Sequence, residues 1–159
     1  MILVTIGTQL PFDRLINYIE SWVVNSAMAT RVVAQVGTSS FRSENIIVLT
    51  SVEPDKFEKY ISEAELIVSH AGMGSILTAL RVRKPIIIVP RDASLGEHRN
   101  DHQLATARSF NGSQGVYVAN NEYELCELLD NRKELACGAL NESSEYKKLL
   151  ANIWTMISV

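Results

Sequence analysis

The sequence predicts an α/β fold with a Rossmann-like, doubly wound parallel sheet, and two observations support this prediction. Short apolar runs rich in β-branched residues recur along the chain, and segments with helical periodicity separate them. One run, Ile86 to Val89, is continuously apolar, as expected of a strand buried on both faces. We therefore expect helices on both sides of a parallel sheet, in a single domain spanning residues 1–159.

In chain order, the pattern predicts six strands with helices between them. The predicted strands are Ile2 to Ile6, Val32 to Val36, Ile46 to Leu49, Leu66 to Val68, Ile86 to Val89 and Val116 to Val118. The predicted helices run through Leu15 to Val23, Pro54 to Ile61, Ser75 to Leu80, Leu104 to Phe110, Asn121 to Asp130 and Ser144 to Ile157. Asp13 precedes the first helix, and we expect it to cap that helix rather than to act as a general base.

Composition limits the possible functions. The net charge is −3 at pH 7 and no basic stripe is present, so we expect no nucleic-acid partner. Cys126 and Cys137 form no C-x-x-C pair, which favours reduced, buried thiols in a cytoplasmic chain. No apolar run approaches the roughly 18 residues of a membrane-spanning helix, so we expect a soluble protein.

The stretch from Ser69 to Ser75 predicts an anion site. It follows a strand and opens a helix, where free backbone N–H groups point outward. A dinucleotide fingerprint fits poorly, because Leu77 stands where its third glycine should be. A turn that merely packs the helix on the sheet is the structural alternative. Two further polar loops, residues 7–9 and 91–103, should converge on the same edge of the sheet.

Three motifs, occurring in order, resemble one known family. They are the sequence SHAGMGS from Ser69 to Ser75, then Lys84-Pro85, then Asp101-His102-Gln103. Together they resemble the family 28 C-terminal domain, the donor-binding half of GT-B glycosyltransferases. The opening from Val4 to Leu15 is similar to the small subunits of two-part UDP-sugar transferases, including the dolichol-pathway N-acetylglucosaminyltransferase. The stretch from Leu95 to Ala107 looks most like the bacterial PssE-type group.

The resemblance implies a set of substrate-binding residues. Gly72, Met73, Gly74 and Ser75 match the loop that holds the UDP diphosphate, and His70 matches a histidine beside it, although it could instead only tie the strand end to a neighbouring loop. Thr78 stands where the family often has a glutamate for the ribose hydroxyls. The residues implied to face the sugar are Asp101, His102 and Gln103, and those implied to face the diphosphate from the other side are Gly7, Thr8 and Gln9.

We expect no metal and no other cofactor. His98 and His102 stand four residues apart and could share a helix face, but no third histidine lies nearby and the chain has no D-x-D motif. Backbone N–H groups, together with Arg91 or Arg99, are expected to neutralise the leaving UDP instead. Arg99 could equally be a surface charge.

The resemblance further implies an inverting hexosyltransferase that works as a complex. This chain is long enough for the donor half only, so a membrane-associated partner would supply the acceptor side and the general base. The chain would then be recruited to the inner face of the membrane and transfer a sugar from UDP to a lipid-linked saccharide in bacterial exopolysaccharide or capsule synthesis. A non-catalytic sugar-nucleotide-binding module that positions a partner is the alternative.

The last predicted helix leaves two interpretations open. Its apolar stripe could pack on the domain's own sheet or dock on the partner. The stripe consists of Leu149, Leu150, Ile153, Trp154 and Ile157.

Overall fold

In a computed structural model, which describes residues 1–7, 10–26 and 30–140, strands and helices alternate along the chain. The strands are β1 (Ile2–Thr5), β2 (Val32–Gln35), β3 (Ile47–Leu49), β4 (Leu66–His70), β5 (Ile86–Val89) and β6 (Val116–Val118). The helices are α1 (Asp13–Asn25), α2 (Pro54–Glu63), α3 (Met73–Arg81), α4 (His102–Phe110) and α5 (Glu122–Asp130), with 3₁₀ turns at Ala93–Leu95 and Arg132–Glu134.

The six strands form one parallel sheet in the order β3-β2-β1-β4-β5-β6, which confirms the predicted doubly wound fold. The chain leaves β1 towards β2 and β3, then returns to β4 on the other side of β1. The switch point of the topology therefore lies between the carboxyl ends of β1 and β4, where ligands bind in open α/β sheets. Gly7 follows β1 at this point, and Ala71 and Gly72 follow β4.

Alternate strand residues fill two cores, one on each face of the sheet. Ile2 and Val4 pack with α1 and α5, whereas Leu3 packs with α2, α3 and α4. The strands β1, β2 and β5 are buried along their whole length, as the apolar runs predict. A hydrogen bond of 2.8 Å from the Trp22 indole to Asp130 also ties α1 to α5.

The start of α3 lies earlier than the sequence pattern predicts. The strand β4 extends to His70, and α3 begins at Met73 rather than Ser75. The helix ends in a Schellman motif, because the N–H of Lys84 donates to the carbonyl of Ala79 and the N–H of Arg83 donates to that of Leu80. Arg83 takes the left-handed conformation there, with φ of 55°.

Two expectations outside the sheet are wrong. Phe12, not Asp13, is the N-cap residue of α1, and no side chain caps this helix. The Asp13 carboxylate instead accepts a 2.6 Å hydrogen bond from Ser39, because Asp13 already lies inside the first turn. Cys137 is exposed and Cys126 is half-buried, since neither lies on a face that packs fully on the sheet.

Among the described residues, no helix has the length and apolar character needed to cross a bilayer. The predicted helix from residue 144 to residue 157 lies outside the described residues, so both of its interpretations stay predictions.

Candidate functional site

The start of α3 presents backbone donors at the switch point. Gly72 precedes the helix, and no side chain caps it. Helical geometry leaves the N–H groups of Met73, Gly74 and Ser75 without intrahelical partners, whereas that of Gly72 donates to the carbonyl of His70 over 2.8 Å. Three donors thus remain at the positive end of the helix dipole, an arrangement that favours an anion.

A wide cavity of about 740 Å³ opens beside this helix start. Its lining combines apolar side chains with glycines and hydroxyl-bearing residues. This size lies within the roughly 300–1,000 Å³ of small-molecule sites. The lining residues are Leu3, Thr5, Gly7, Gln35, Gly37, Thr38, Thr50, Ser51, Val52, Pro54, Phe57, Ile61, Ile67, Gly74, Ser75 and Thr78. The wide cavity can therefore accept a flat, weakly polar group against its apolar side chains while the helix start holds an anion.

A small cavity of about 260 Å³ lies on the other side of Gly7. In contrast to the wide cavity, it is lined largely by polar side chains. Its lining residues are Ile6, Gly7, Leu10, His70, Arg91, His98 and Gln103. Because Gly7 lines both cavities, the two are neighbours along the carboxyl edge of the sheet.

His70 stands between the two glycines of the switch point. A Cβ atom on Gly72 would lie 2.2 Å from His70 Nε2, and one on Gly7 would lie 2.9 Å from Cε1. Gly7 also has φ of +78°, which other residues rarely adopt. Both glycines are therefore required for the imidazole to occupy this place. The two interpretations of His70 are compatible, since the ring lies against Gly7 after β1 and also lines the small cavity.

The His70 imidazole is neutral at physiological pH. Burial, assisted by the positive charge of Arg91, lowers its pKa to about 4. The Ser69 hydroxyl donates to the carbonyl of Thr5 over 3.0 Å, so it accepts from His70 Nδ1 at 3.2 Å. This assigns the ring proton to Nδ1 and leaves Nε2 as an acceptor. His70 can thus orient a hydroxyl group, but it adds no positive charge for a phosphate.

Arg91 is buried and does not offer its charge as a free cation. Four of its N–H groups donate to backbone carbonyls, so the guanidinium is engaged in holding the chain. Burial lowers the pKa of Arg91. The guanidinium still lines the small cavity, so the expectation that Arg91 helps to neutralise the leaving UDP stays a prediction. Arg99 lines a neighbouring surface pocket together with Leu10, His98 and Asn100.

The three residues predicted to face the sugar, Asp101 to Gln103, lie at the start of α4 and differ in their surroundings. Gln103 is buried and lines the small cavity, with its carbonyl oxygen accepting the N–H of Arg91 at 3.2 Å. Its amide nitrogen makes no hydrogen bond to any residue that the structure describes, which leaves two donors for a ligand. Asp101 is exposed and precedes the helix, where its carboxylate meets the N–H of Ala93 at 3.4 Å. Asp101 and His102 do not line the small cavity, because Gln103, Thr106, Ala107 and Phe110 form the inward face of α4.

The remaining predicted residues contribute in different ways. The Met73 side chain packs against the apolar core, so only its N–H group is available at the site. Gly74, Ser75 and Thr78 line the wide cavity as a ligand site requires. Thr8 and Gln9 lie outside the described residues. Substrate contact by each of these residues stays a prediction.

Several residues of the site are missed by the sequence patterns. Gly37 and Thr38 follow the carboxyl end of β2, and Thr50 to Val52 follow that of β3, so their place after a strand is the signal that could have found them. His98 lines the small cavity where His102 was expected. The His98 side chain is held by Asn100 over 3.1 Å.

Residues 1–7, 10–26 and 30–140 contain no group of three or more His, Cys, Asp or Glu side chains placed to hold a metal ion. His98 and His102 therefore form no such group, and metal independence stays a prediction.

The sheet topology and the helix start at its switch point define a Rossmann-like ligand-binding domain. The chain belongs to the glycosyltransferase family 28 C-terminal domain family, whose model matches residues 1–150. This confirms the resemblance that the three motifs indicate.

Relatives with similar sequences are each described as a UDP-N-acetylglucosamine transferase subunit ALG13. The protein of Candida albicans is 35% identical over 74 residues, which cover 46% of this chain and 24% of that protein. The human protein is 29% identical over 118 residues, covering 69% of this chain and 10% of that protein. The chain therefore spans about a quarter or less of the length of these two relatives.

Solved structures support the fold. The NMR structure of ALG13 matches with a TM-score of 0.63 and 19% identity, covering 94% of this chain and 93% of that one. The crystal structure of MurG from Acinetobacter baumannii matches with a TM-score of 0.61 and 16% identity, covering 84% of this chain and 42% of that one.

Proposed function

We propose that this chain is the donor-binding subunit of a UDP-sugar glycosyltransferase, with UDP in the wide cavity and the transferred sugar in the small cavity. One observation carries the proposal: the N–H groups of Met73, Gly74 and Ser75 lie at the switch point, and Gly7 there lines both cavities. A diphosphate at this position joins a base on one side to a sugar on the other. The family supports the same assignment.

The charges around the site favour an anionic ligand. None of the described residues that line the two cavities is acidic. A diphosphate placed at the helix start therefore meets backbone donors and no carboxylate. In a sugar transfer, negative charge develops on the diphosphate as it leaves, and fixed N–H groups stabilise such charge without reorganising. No metal is required in this proposal.

The acceptor side of the reaction belongs to a partner in this proposal. Direct displacement at the sugar with inversion needs a general base near the acceptor hydroxyl. The described lining residues of the small cavity include no carboxylate. Burial lowers the pKa of His70 to about 4, which makes it a weak general base, and the His98 Nδ1 atom is engaged by Asn100. We therefore assign the base, and the binding of a lipid-linked acceptor, to a membrane-associated subunit that recruits this chain to the membrane.

The donor we propose to test first is UDP-N-acetylglucosamine, because the related ALG13 proteins are described as subunits of its transferase. Exopolysaccharide or capsule synthesis remains a prediction that rests on the stretch from Leu95 to Ala107 alone.

The proposed function can be tested by co-expressing the chain with a candidate membrane subunit. UDP-N-acetylglucosamine and UDP-glucose are then offered with lipid-linked acceptor, in the presence and absence of excess chelator. We expect sugar transfer that needs both chains and survives the chelator. Ser75→Asp, which places a carboxylate at the helix start, should abolish transfer. Ser113→Asp, at the opposite edge of the sheet, should retain it.

Three outcomes would contradict parts of the proposal. UDP binding without transfer by the complex would favour the non-catalytic binding module. Loss of transfer on chelation, restored by magnesium or manganese, would show that a metal holds the diphosphate. Equal activity of the Ser75→Asp and Ser113→Asp variants would remove the diphosphate from the start of α3.

A further inference from the structure

Arg91 joins two segments that are distant in sequence and that both line the small cavity. Its Nη2 atom donates to the carbonyls of Ile6 and Leu10, each at 2.7 Å. Its Nη1 atom donates to the carbonyls of Pro11 at 2.6 Å and Glu97 at 3.1 Å. The guanidinium thus collects carbonyls from the connection between β1 and α1 and from the loop after β5.

The surroundings of Arg91 make this arrangement rigid. The side chain is 3% exposed, and its guanidinium carbon lies 4.7 Å from the centroid of the Phe12 ring. Beside it, Arg14 forms a bidentate pair with the Glu97 carboxylate at 2.7 and 2.8 Å, and that carboxylate also accepts the N–H of Asp92 at 2.9 Å. Hydrogen bonding to Glu97 raises the pKa of Arg14, so this pair stays ionised. The Arg14–Glu97 pair therefore links the first turn of α1 to the same loop after β5.

The backbone of Arg91 reaches the other wall of the small cavity. Its N–H donates to the carbonyl oxygen of Gln103, which fixes the amide group of a side chain that lines the cavity. One residue thus sets both the carbonyl-bearing wall and the orientation of Gln103.

We propose that Arg91 is a positioning residue that shapes the small cavity before the sugar arrives. This inference rests on the proposed function, which assigns the sugar to that cavity. The guanidinium suits the task because it is planar and has five N–H groups in a fixed fork, of which four are used here. A lysine would keep the positive charge, but its three donors cannot reach four carbonyls spread around a plane.

The test compares Arg91→Met and Arg91→Lys with the wild-type full chain. Arg108→Met is the matched control, since Arg108 is exposed in the last turn of α4 at the opposite edge of the sheet. Affinities for UDP and for UDP-N-acetylglucosamine are measured by calorimetry after a cooperative thermal melt confirms folding. Amide hydrogen exchange is followed for residues 10–14 and 92–97, with β1 and β4 as internal references.

We expect Arg91→Met to weaken the affinity for UDP-N-acetylglucosamine by about tenfold. The affinity for UDP should fall by less than about threefold, since the start of α3 is unchanged. Exchange of residues 10–14 and 92–97 should rise by about tenfold, while the strands stay protected. Arg91→Lys should behave like Arg91→Met, and it keeps the test available if the methionine variant does not fold.

Three results would overturn the proposal. Full restoration by Arg91→Lys would show that charge matters and position does not. An equal loss of affinity for UDP and UDP-N-acetylglucosamine would show that Arg91 acts at the diphosphate or on overall stability. Unchanged amide hydrogen exchange would show that Arg91 does not hold the two segments. If the wild-type chain binds neither ligand, the proposed function fails, while the exchange measurement still decides whether Arg91 joins the segments.

Discussion

The wide and small cavities lie on either side of Gly7, yet they are built from different parts of the chain. The wide cavity takes its polar groups largely from backbone and hydroxyls at strand and helix ends, beside apolar side chains. The small cavity is lined by polar side chains, chiefly His70, Arg91 and Gln103, and the N–H of Arg91 donates to Gln103. Under the proposed function, the backbone site would bind the diphosphate that all donors share, and the side-chain site would distinguish their sugars.

Gly72→Ala tests the junction between the two cavities and should lower the stability of the fold more than any other change proposed here. The new Cβ atom would lie 2.2 Å from His70 Nε2, so ring and loop must separate, at a cost of about 3 kcal/mol or more in the free energy of unfolding. Gly74→Ala is the matched control, because its Cβ meets nothing within 4 Å. Chemical denaturation of the two variants measures the difference, and equal stability would show that His70 does not occupy this place.

The pH dependence of stability should report the burial of His70. Its pKa is about 4 in the folded chain, and an unfolded histidine titrates near about 6.5. Between these values the unfolded chain binds the extra proton, so stability falls as pH drops from about 6.5 to 4, by up to about 3 kcal/mol, and is unaffected above that window. Denaturation at several pH values should show a shallower fall for His70→Gln than for the wild type. The same shallow fall in a His102→Gln variant would assign the effect to another group.

Gln103→Ala should separate the functions of the two cavities. Loss of its two amide donors should weaken UDP-N-acetylglucosamine by about 2 kcal/mol, while UDP affinity changes little. Calorimetric titration of both ligands provides the test. An equal loss for both would move Gln103 to the nucleotide end of the site.

Thr78→Glu should strengthen UDP binding in the wide cavity, and this is the smallest effect that we expect. Thr78 lines this cavity at the position where the family often has a glutamate. A carboxylate there should gain about 1 kcal/mol for UDP through hydrogen bonds to the ribose. The gain should vanish with 2′,3′-dideoxy-UDP, and persistence of the gain with that analogue would place the ribose elsewhere.

The difference between the cavities also explains what the sequence could predict. The strand, glycine loop and helix around Ser75 are contiguous, so their periodicity predicts both the parallel sheet and the anion site. The small cavity depends on contacts between distant residues, such as Arg91 with Ile6, which are 85 positions apart. No local sequence pattern reveals that the Arg91 guanidinium donates its hydrogen bonds to backbone carbonyls. The helical spacing of Gln103, Thr106, Ala107 and Phe110 did carry a signal, since it places Gln103 inward and His102 beside it.

Titration of the isotopically labelled full chain with UDP, followed by NMR, tests the central claim most directly. The amide signals of Met73, Gly74 and Ser75 should shift first, because we propose that these N–H groups bind the diphosphate at the start of α3. Signals around Thr50 to Val52 should follow as the base enters the wide cavity. Shifts confined to the opposite edge of the sheet, for example at residues 111–115, would contradict the proposed site.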